Sequence, residues 1–185
     1  MSKFKVAVFV GSARKESINQ ALAQALARLG EAKLAFTFVK IDDLPLYNQD
    51  LEANLPASVS RMKTEIEAAD AVLFVTPEHC RSIPALLKNA IDWGSRPWGK
   101  SSWPNKPAAI IGASIGAIGT AIAQQHLRTS LSHLGLHVQT GEAYITFKPG
   151  LVDAQHNVTD ESVRGFLQAF IDQFAALVAR FAPRS

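Results

Sequence analysis

Four short apolar runs constrain the fold of this chain more than any other feature. Lys5 to Val10, Leu34 to Ile41, Ala71 to Thr76 and Ala108 to Gly112 are rich in Val, Ile, Phe and Ala and show little polar alternation. A strand wetted on one face alternates apolar with polar residues, whereas a strand covered on both faces does not. The runs therefore predict a parallel sheet sandwiched between helices. Between them, Ile18, Leu22, Leu26 and Leu29 recur at helical spacing, as do Val59, Met62, Ile66 and Ala69, and then Ala123, Leu127, Leu131 and Leu134. A weaker strand around Leu136 to Tyr144 makes a fifth. A last helix follows a cap at Thr159 or Asp160, with Val163, Phe166, Leu167, Phe170, Phe174, Leu177 and Val178 on its apolar stripe.

Right-handed crossovers turn this order into an α/β, doubly wound, five-stranded parallel sheet with helices on both faces. Ligands bind such sheets at the carboxyl ends of the strands. The chain has 185 residues, without repeats or linkers, so a single domain spanning 1–185 is expected.

Charge and composition narrow the function. The net charge of +3 comes from scattered cations rather than runs, which argues against nucleic acid and suits a small anionic ligand. No apolar run approaches the roughly 18 residues of a membrane span. The apolar segment before Gly11 is too short for a secretory signal, and a lone cysteine, Cys80, allows no internal disulfide and no thiolate zinc site. The expected location is the cytoplasm, with Asn157 an idle sequon and no metal.

Three loops at strand ends carry the chemistry. The first, "VFVGSARKESIN", runs from Val8 to Asn19. Ser17 with Gln20 three residues on makes a capping-box pattern, so the amides of the following helix point into the loop. Helix-end amides favour an anion. Ser12, Ser17 and Asn19 add neutral donors, and Arg14 and Lys15 add charge. Without the glycine fingerprint G-x-G-x-x-G or G-K-[ST], the loop is neither a dinucleotide site nor a P-loop, and its hydroxyls suit a terminal phosphate monoester.

The second stretch, "TPEHCRSIPALLKNAIDWGSRP", spans Thr76 to Pro97. Pro77 stops the strand and Pro84 suits a helix start, which leaves Glu78 to Ser82 as a rigid loop against which a flat heteroaromatic ligand can lie. His79 and Arg81 can stack on it or clamp it. Cys80, with no activating base beyond its neighbour His79, reads as a space-filler rather than a nucleophile. The third loop, "GASIGAIGTA", has glycines at 112, 116 and 119, which either admit a ligand or simply pack. Trp93, Trp98 and Trp103 sit in a segment broken by Gly and Pro, and some of them are expected to be covered by another subunit.

Together, "GSARKESIN", "LPLYNQDLE", "TPEHCRSIPALLKNAIDWGSRP" and "KPAAIIGASIGAIGTAIAQQHLR" resemble the NADPH-dependent FMN reductase family, in its branch of soluble quinone and chromate reductases. The resemblance covers roughly residues 4 to 180 and implies a flavodoxin-like fold, non-covalent FMN, NADPH or NADH as donor, and a homo-oligomer, dimer or tetramer. It implies phosphate-side contacts from Ser12, Arg14, Ser17, Ile18 and Asn19. Ring contacts are implied from Pro77, Glu78, His79, Cys80 and Arg81, and further flavin contacts from Ser114, Ile115 and Gly116. The family's usual P-E-Y-N reads Pro77, Glu78, His79, Cys80 here, so the aromatic and amide positions differ.

A flavin reductase needs no dedicated acid or base, because the cofactor carries the redox chemistry and the protein binds and tunes it. Amides from Ser114 to Ala117, read as a helix start, are candidates to stabilise a reduced, anionic ring. Arg81 is the candidate catalytic residue, facing the donor nucleotide or an anionic acceptor such as chromate. Electron-carrier flavodoxins share the fold but are usually acidic, whereas this chain has a pI near 9.1. A Rossmann dehydrogenase needs an acid about 20 residues past its glycines, and Asp42 and Asp43 lie too far from Gly11. A non-enzymatic interaction protein is the third alternative, and the colour of the purified protein separates it.

Overall fold

The computed structural model describes residues 3–181. Its elements run β1 (Phe4–Val10), α1 (Ile18–Gly30), β2 (Leu34–Phe38), a short 3-10 helix (Gln49–Asn54), α2 (Ala57–Glu67), β3 (Ala71–Val75) and α3 (Ala85–Gly94). After them come β4 (Pro107–Ser114), α4 (Ala121–His133), β5 (His137–Val138), β6 (Tyr144–Thr146) and α5 (Glu161–Phe181). All strand pairs are parallel, in the order β2-β1-β3-β4-β5, with β6 also on β4. The fold is flavodoxin-like, and the fifth position of its sheet is shared by two short strands.

The expected continuous strand from Leu136 to Tyr144 is thus broken. β5 pairs with Pro107 and Ala108 at one end of β4, and β6 pairs with Gly112 to Ser114 at the other. The chain between them is held by side chains instead: Gln124 Nε2 donates to the Ala143 carbonyl (2.8 Å) and Arg128 Nη1 to that of Gln139 (2.6 Å).

Side-chain alternation within the central strands sorts the core into two layers. Val6, Val8 and Val10 of β1, with Leu73 and Val75 of β3, meet Leu22 and Leu26 of α1 and Phe170 and Phe174 of α5. The residues between them, Ala7, Phe9, Val72 and Phe74, face Met62 and Ile66 of α2, Leu87 and Ile91 of α3 and Leu127 of α4. Both faces of the sheet are covered, which explains the unalternating apolar runs. On α5 the stripe is shifted from expectation: Ile171 and Ala175 join the core while Phe166 is 47% exposed. Asp160 provides the cap, its Oδ1 accepting from the Val163 amide at 3.0 Å.

The tryptophans divide. Trp93 and Trp103 are fully buried within this one chain, so the segment encloses two of its three indoles. Trp103 packs against Phe9 and Phe74 and donates to the Ile91 carbonyl (3.0 Å), and Trp93 donates to that of Pro45 (2.8 Å). Lys63, buried on α2, pins the segment from outside through the Gly94 and Lys100 carbonyls and Ser102 Oγ, and its burial pushes the ammonium pKa down. Only Trp98 stays out, at 86% exposure.

Candidate functional site

β1 sits between β2 and β3, so the chain reverses its direction of winding there and the crevice opens beyond the carboxyl ends of β1 and β3. The loops that follow β1, β3 and β4 all reach this edge. Three contacts lock them in pairs.

Gly11 joins the first loop to the second. A Cβ there would lie 2.9 Å from Pro84 and 3.0 Å from Pro77, so only glycine lets the chain leave β1 beneath the two prolines. Asn19 joins the first loop to the third: its amide nitrogen donates to the Ala113 carbonyl and its oxygen accepts from the Ala113 N–H, both at 2.9 Å. Glu78 joins the second to the third. Its Oε2 accepts from the amides of Ile122 (3.0 Å) and Ala123 (3.1 Å) in the first turn of α4.

The first loop presents donors to solvent. Ser17 caps α1, accepting from the Gln20 amide at 3.2 Å, as its position in the sequence predicts. Arg14 and Lys15 are exposed, and Ser12 and Ile18 are half-buried. A cavity of about 260 Å³ flanks this loop on the β2 side, lined by Ser12, Arg14, Gln20, Lys40 and Asp42 among others. With the positive end of α1, the loop is chemically suited to a phosphate. The Asn19 side chain is 2% exposed and bonded to Ala113 through both its nitrogen and its oxygen, so it braces the framework of the loop.

The second loop is a tight turn. His79 and Ser82 exchange backbone hydrogen bonds (3.1 and 2.9 Å), with Cys80 (φ 48°) and Arg81 (φ 61°) between them. Two left-handed central residues are the mark of a type I′ turn, a position normally given to Asn-Gly. Cys80 and Arg81 meet the steric cost that Cβ brings there, of order 1–2 kcal/mol each. His79, Cys80 and Arg81 are exposed and Pro77 half-buried, so the turn offers an open platform. Glu78 is turned toward α4. Its side chain is only 9% exposed, and Oε1 turns to Arg81 Nη1 at 3.3 Å, so it faces α4 and Arg81 rather than a ring on the platform.

The third loop departs most from its reading. Residues 114 to 117 do not start a helix; α4 begins at Ala121, and Glu78 already takes two of its first amides. Ser114 Oγ accepts from the Gly116 amide (3.2 Å) and lies 3.0 Å from the Gly116 carbonyl. Gly112 is a packing glycine, since a Cβ would sit 2.0 Å from the Thr76 carbonyl oxygen. Ile115, 85% exposed, and Gly116 stand at the open edge. Sequence reasoning missed the pairing of Ser82 Oγ with His126 Nδ1 (3.0 Å), for which no local signal exists.

An exposed cationic loop at one end and a flat, exposed platform at the other fit a ligand with a phosphate and a planar ring, and FMN meets both demands. Comparison with known proteins agrees. Residues 4–149 match the NADPH-dependent FMN reductase family. A 2-hydroxy-1,4-benzoquinone reductase from Burkholderia sp is 49% identical over 175 residues, covering 94% of this chain and 96% of the relative. A quinone reductase from Pseudomonas putida is 50% identical over 177 residues, 95% of each. The solved structure of FerB, a flavoenzyme NAD(P)H:(acceptor) oxidoreductase from Paracoccus denitrificans, superposes with a TM-score of 0.93 at 47% identity, covering 96% of this chain and 98% of that one.

Proposed function

The chain belongs to the NADPH-dependent FMN reductase family, and from that membership we infer that it is an FMN-dependent NAD(P)H:quinone oxidoreductase. The observation that carries this reading is the locking of three loops around one edge, with cations on the phosphate side and an open turn on the ring side. Bound FMN supplies the two-electron exchange between a nicotinamide nucleotide and a quinone. The protein's part is to bind and orient.

On this reading Ser12, Arg14 and Ser17, with the α1 amides including those of Ile18 and Asn19, hold the phosphate. Pro77 to Arg81 bear the ring from the turn, Glu78 indirectly, and Ser114 to Gly116 close its other side. Arg81, exposed and carrying donors beyond the one near Glu78, serves the phosphates of the donor nucleotide or an anionic acceptor, including chromate. Trp98 beside a groove lined by Ile91, Pro104 and Leu134 supports self-association as a dimer or tetramer, read by sedimentation. The lone cysteine supports a cytoplasmic location. No helix among the described residues is long and apolar enough to cross a membrane.

Steady-state kinetics with NADPH and NADH against benzoquinones, free flavin, ferric complexes and chromate tests the reading. Quinone-dependent oxidation of either nucleotide by the FMN-loaded protein is expected. A yellow protein that oxidises neither nucleotide with any acceptor would contradict it.

A further inference from the structure

Glu78 is half-buried at the rim of the site, and its carboxylate is occupied. Oε2 takes the Ile122 and Ala123 amides at 3.0 and 3.1 Å, and Oε1 meets Arg81 Nη1 at 3.3 Å. Four residues on, Ser82 Oγ pairs with His126 Nδ1 at 3.0 Å. Both ends of the strained Cys80–Arg81 turn are thereby clasped to successive turns of α4. A carboxylate at a helix N-terminus is favoured twice, by charge-assisted hydrogen bonds and by the helix dipole.

α4 also terminates the loop after β4. The Ala121 amide reaches back to the Ile118 carbonyl at 3.3 Å, and Gly119 (φ 64°) packs on Tyr144. Whatever fixes the first turn of α4 therefore fixes the far end of that loop. Its near end is fixed separately, by Asn19 at Ala113. Removing the Glu78 carboxylate would cut the tie between the ring-side turn and the first turn of α4, leaving the turn held to that helix by Ser82 and His126 alone and the phosphate-side loop still tied.

We propose that Glu78 is a positioning residue that makes the His79–Ser82 turn and the loop after β4 one rigid platform, so that affinity for the flavin ring depends on a carboxylate that does not touch it. The proposal rests on the FMN-binding reading above. It differs from a plain helix cap in where the effect falls. A cap alone alters stability, whereas a platform brace alters ring binding and leaves the phosphate contribution unchanged.

The test uses the full chain with Glu78→Ala and Glu78→Gln, titrated with FMN and with riboflavin, which lacks the phosphate, well below the melting temperature. Glu78→Ala should weaken both ligands by the same factor, about tenfold, or about 1.4 kcal/mol. Glu78→Gln, whose amide oxygen can still accept both helix amides, should restore most of that loss. In the flavin-free protein, amide exchange should quicken in Glu78→Ala at His79 and Ser82 as well as at Ile122 and Ala123, and return toward wild type in Glu78→Gln. Unchanged affinities beside a lowered melting temperature would reduce Glu78 to a cap and overturn the proposal, as would a loss confined to FMN. If the wild-type chain takes up neither flavin, the functional reading fails on its own. Exchange then decides the brace, and unaltered protection at His79 and Ser82 in Glu78→Ala would end it.

Discussion

The loop after β1 and the turn after β3 face the same crevice but are held in place by different means. The first takes its shape largely from its own neighbours, with one distant tie from Asn19 to Ala113: Ser17 caps the helix it precedes, and Arg14 and Lys15 stay in solvent. The second is held by residues distant in sequence, through Glu78 to Ile122 and Ala123 and through Ser82 to His126. Its two central residues would not choose left-handed backbone unaided. One side of the site is thus a local motif. The other is a strained turn kept in shape by a helix.

The sharpest way to break the comparison is to strike the frame that both sides share. Gly112→Ala would drive a methyl to within 2.0 Å of the Thr76 carbonyl and 2.2 Å of Thr120 Oγ1, at the junction of β3, β4 and α4. Overpacking against backbone typically costs about 1–3 kcal/mol and more where nothing can yield, so a loss at or above about 3 kcal/mol is expected in urea unfolding. A loss under about 0.5 kcal/mol would mean that the strands can part there.

The phosphate side should answer to a single charge. Arg14→Ala removes one charge-assisted contact and should weaken FMN by about 1.5–3 kcal/mol while leaving the melting temperature and riboflavin affinity near wild type. An unchanged FMN dissociation constant would show Arg14 to be a solvent-facing bystander.

The ring side should answer in catalysis. Arg81→Ala is expected to lower kcat/KM for NADPH or chromate by about tenfold, or about 1.4 kcal/mol, with FMN content retained and the deficit shrinking at high salt. Flavin loss with normal kinetics after reconstitution would move Arg81 to the cofactor. Cys80→Asn, better suited to φ 48°, should stabilise the fold by a few tenths to about 1 kcal/mol by easing the turn.

The contrast also explains what could be read from the sequence. The buried strands, the Ser17 cap, the proline-bounded loop and the exposed cations after β1 are written in neighbouring residues or in a short period, and all can be read without coordinates. The tie from Glu78 to α4 could not be read because its partners are 44 and 45 residues away. The tie from Asn19 to Ala113 could not because its partner is 94 away. The left-handed turn was invisible because Cys80 and Arg81 carry none of the usual turn chemistry. The break between β5 and β6 depends on side chains of α4, which no strand periodicity records.

The smallest expected effect lies outside the site, in the segment that leads to Trp98. Burial lowers the pKa of Lys63 in the folded chain, so the unfolded chain binds more protons up to the ordinary lysine value near 10.5. Stability should therefore rise with pH as that window is crossed and fall again as pH drops through the lowered folded value. Lys63→Met should flatten this rise in denaturant titrations, and an unaltered slope would contradict the assignment.

The measurement closest to the central claim is the identity and stoichiometry of flavin released when the purified protein is denatured, after reconstitution with excess FMN and removal of the free cofactor. The account predicts one FMN per chain, because one phosphate-side loop and one ring platform meet at a single edge. FAD in its place, or no retained flavin, would contradict it.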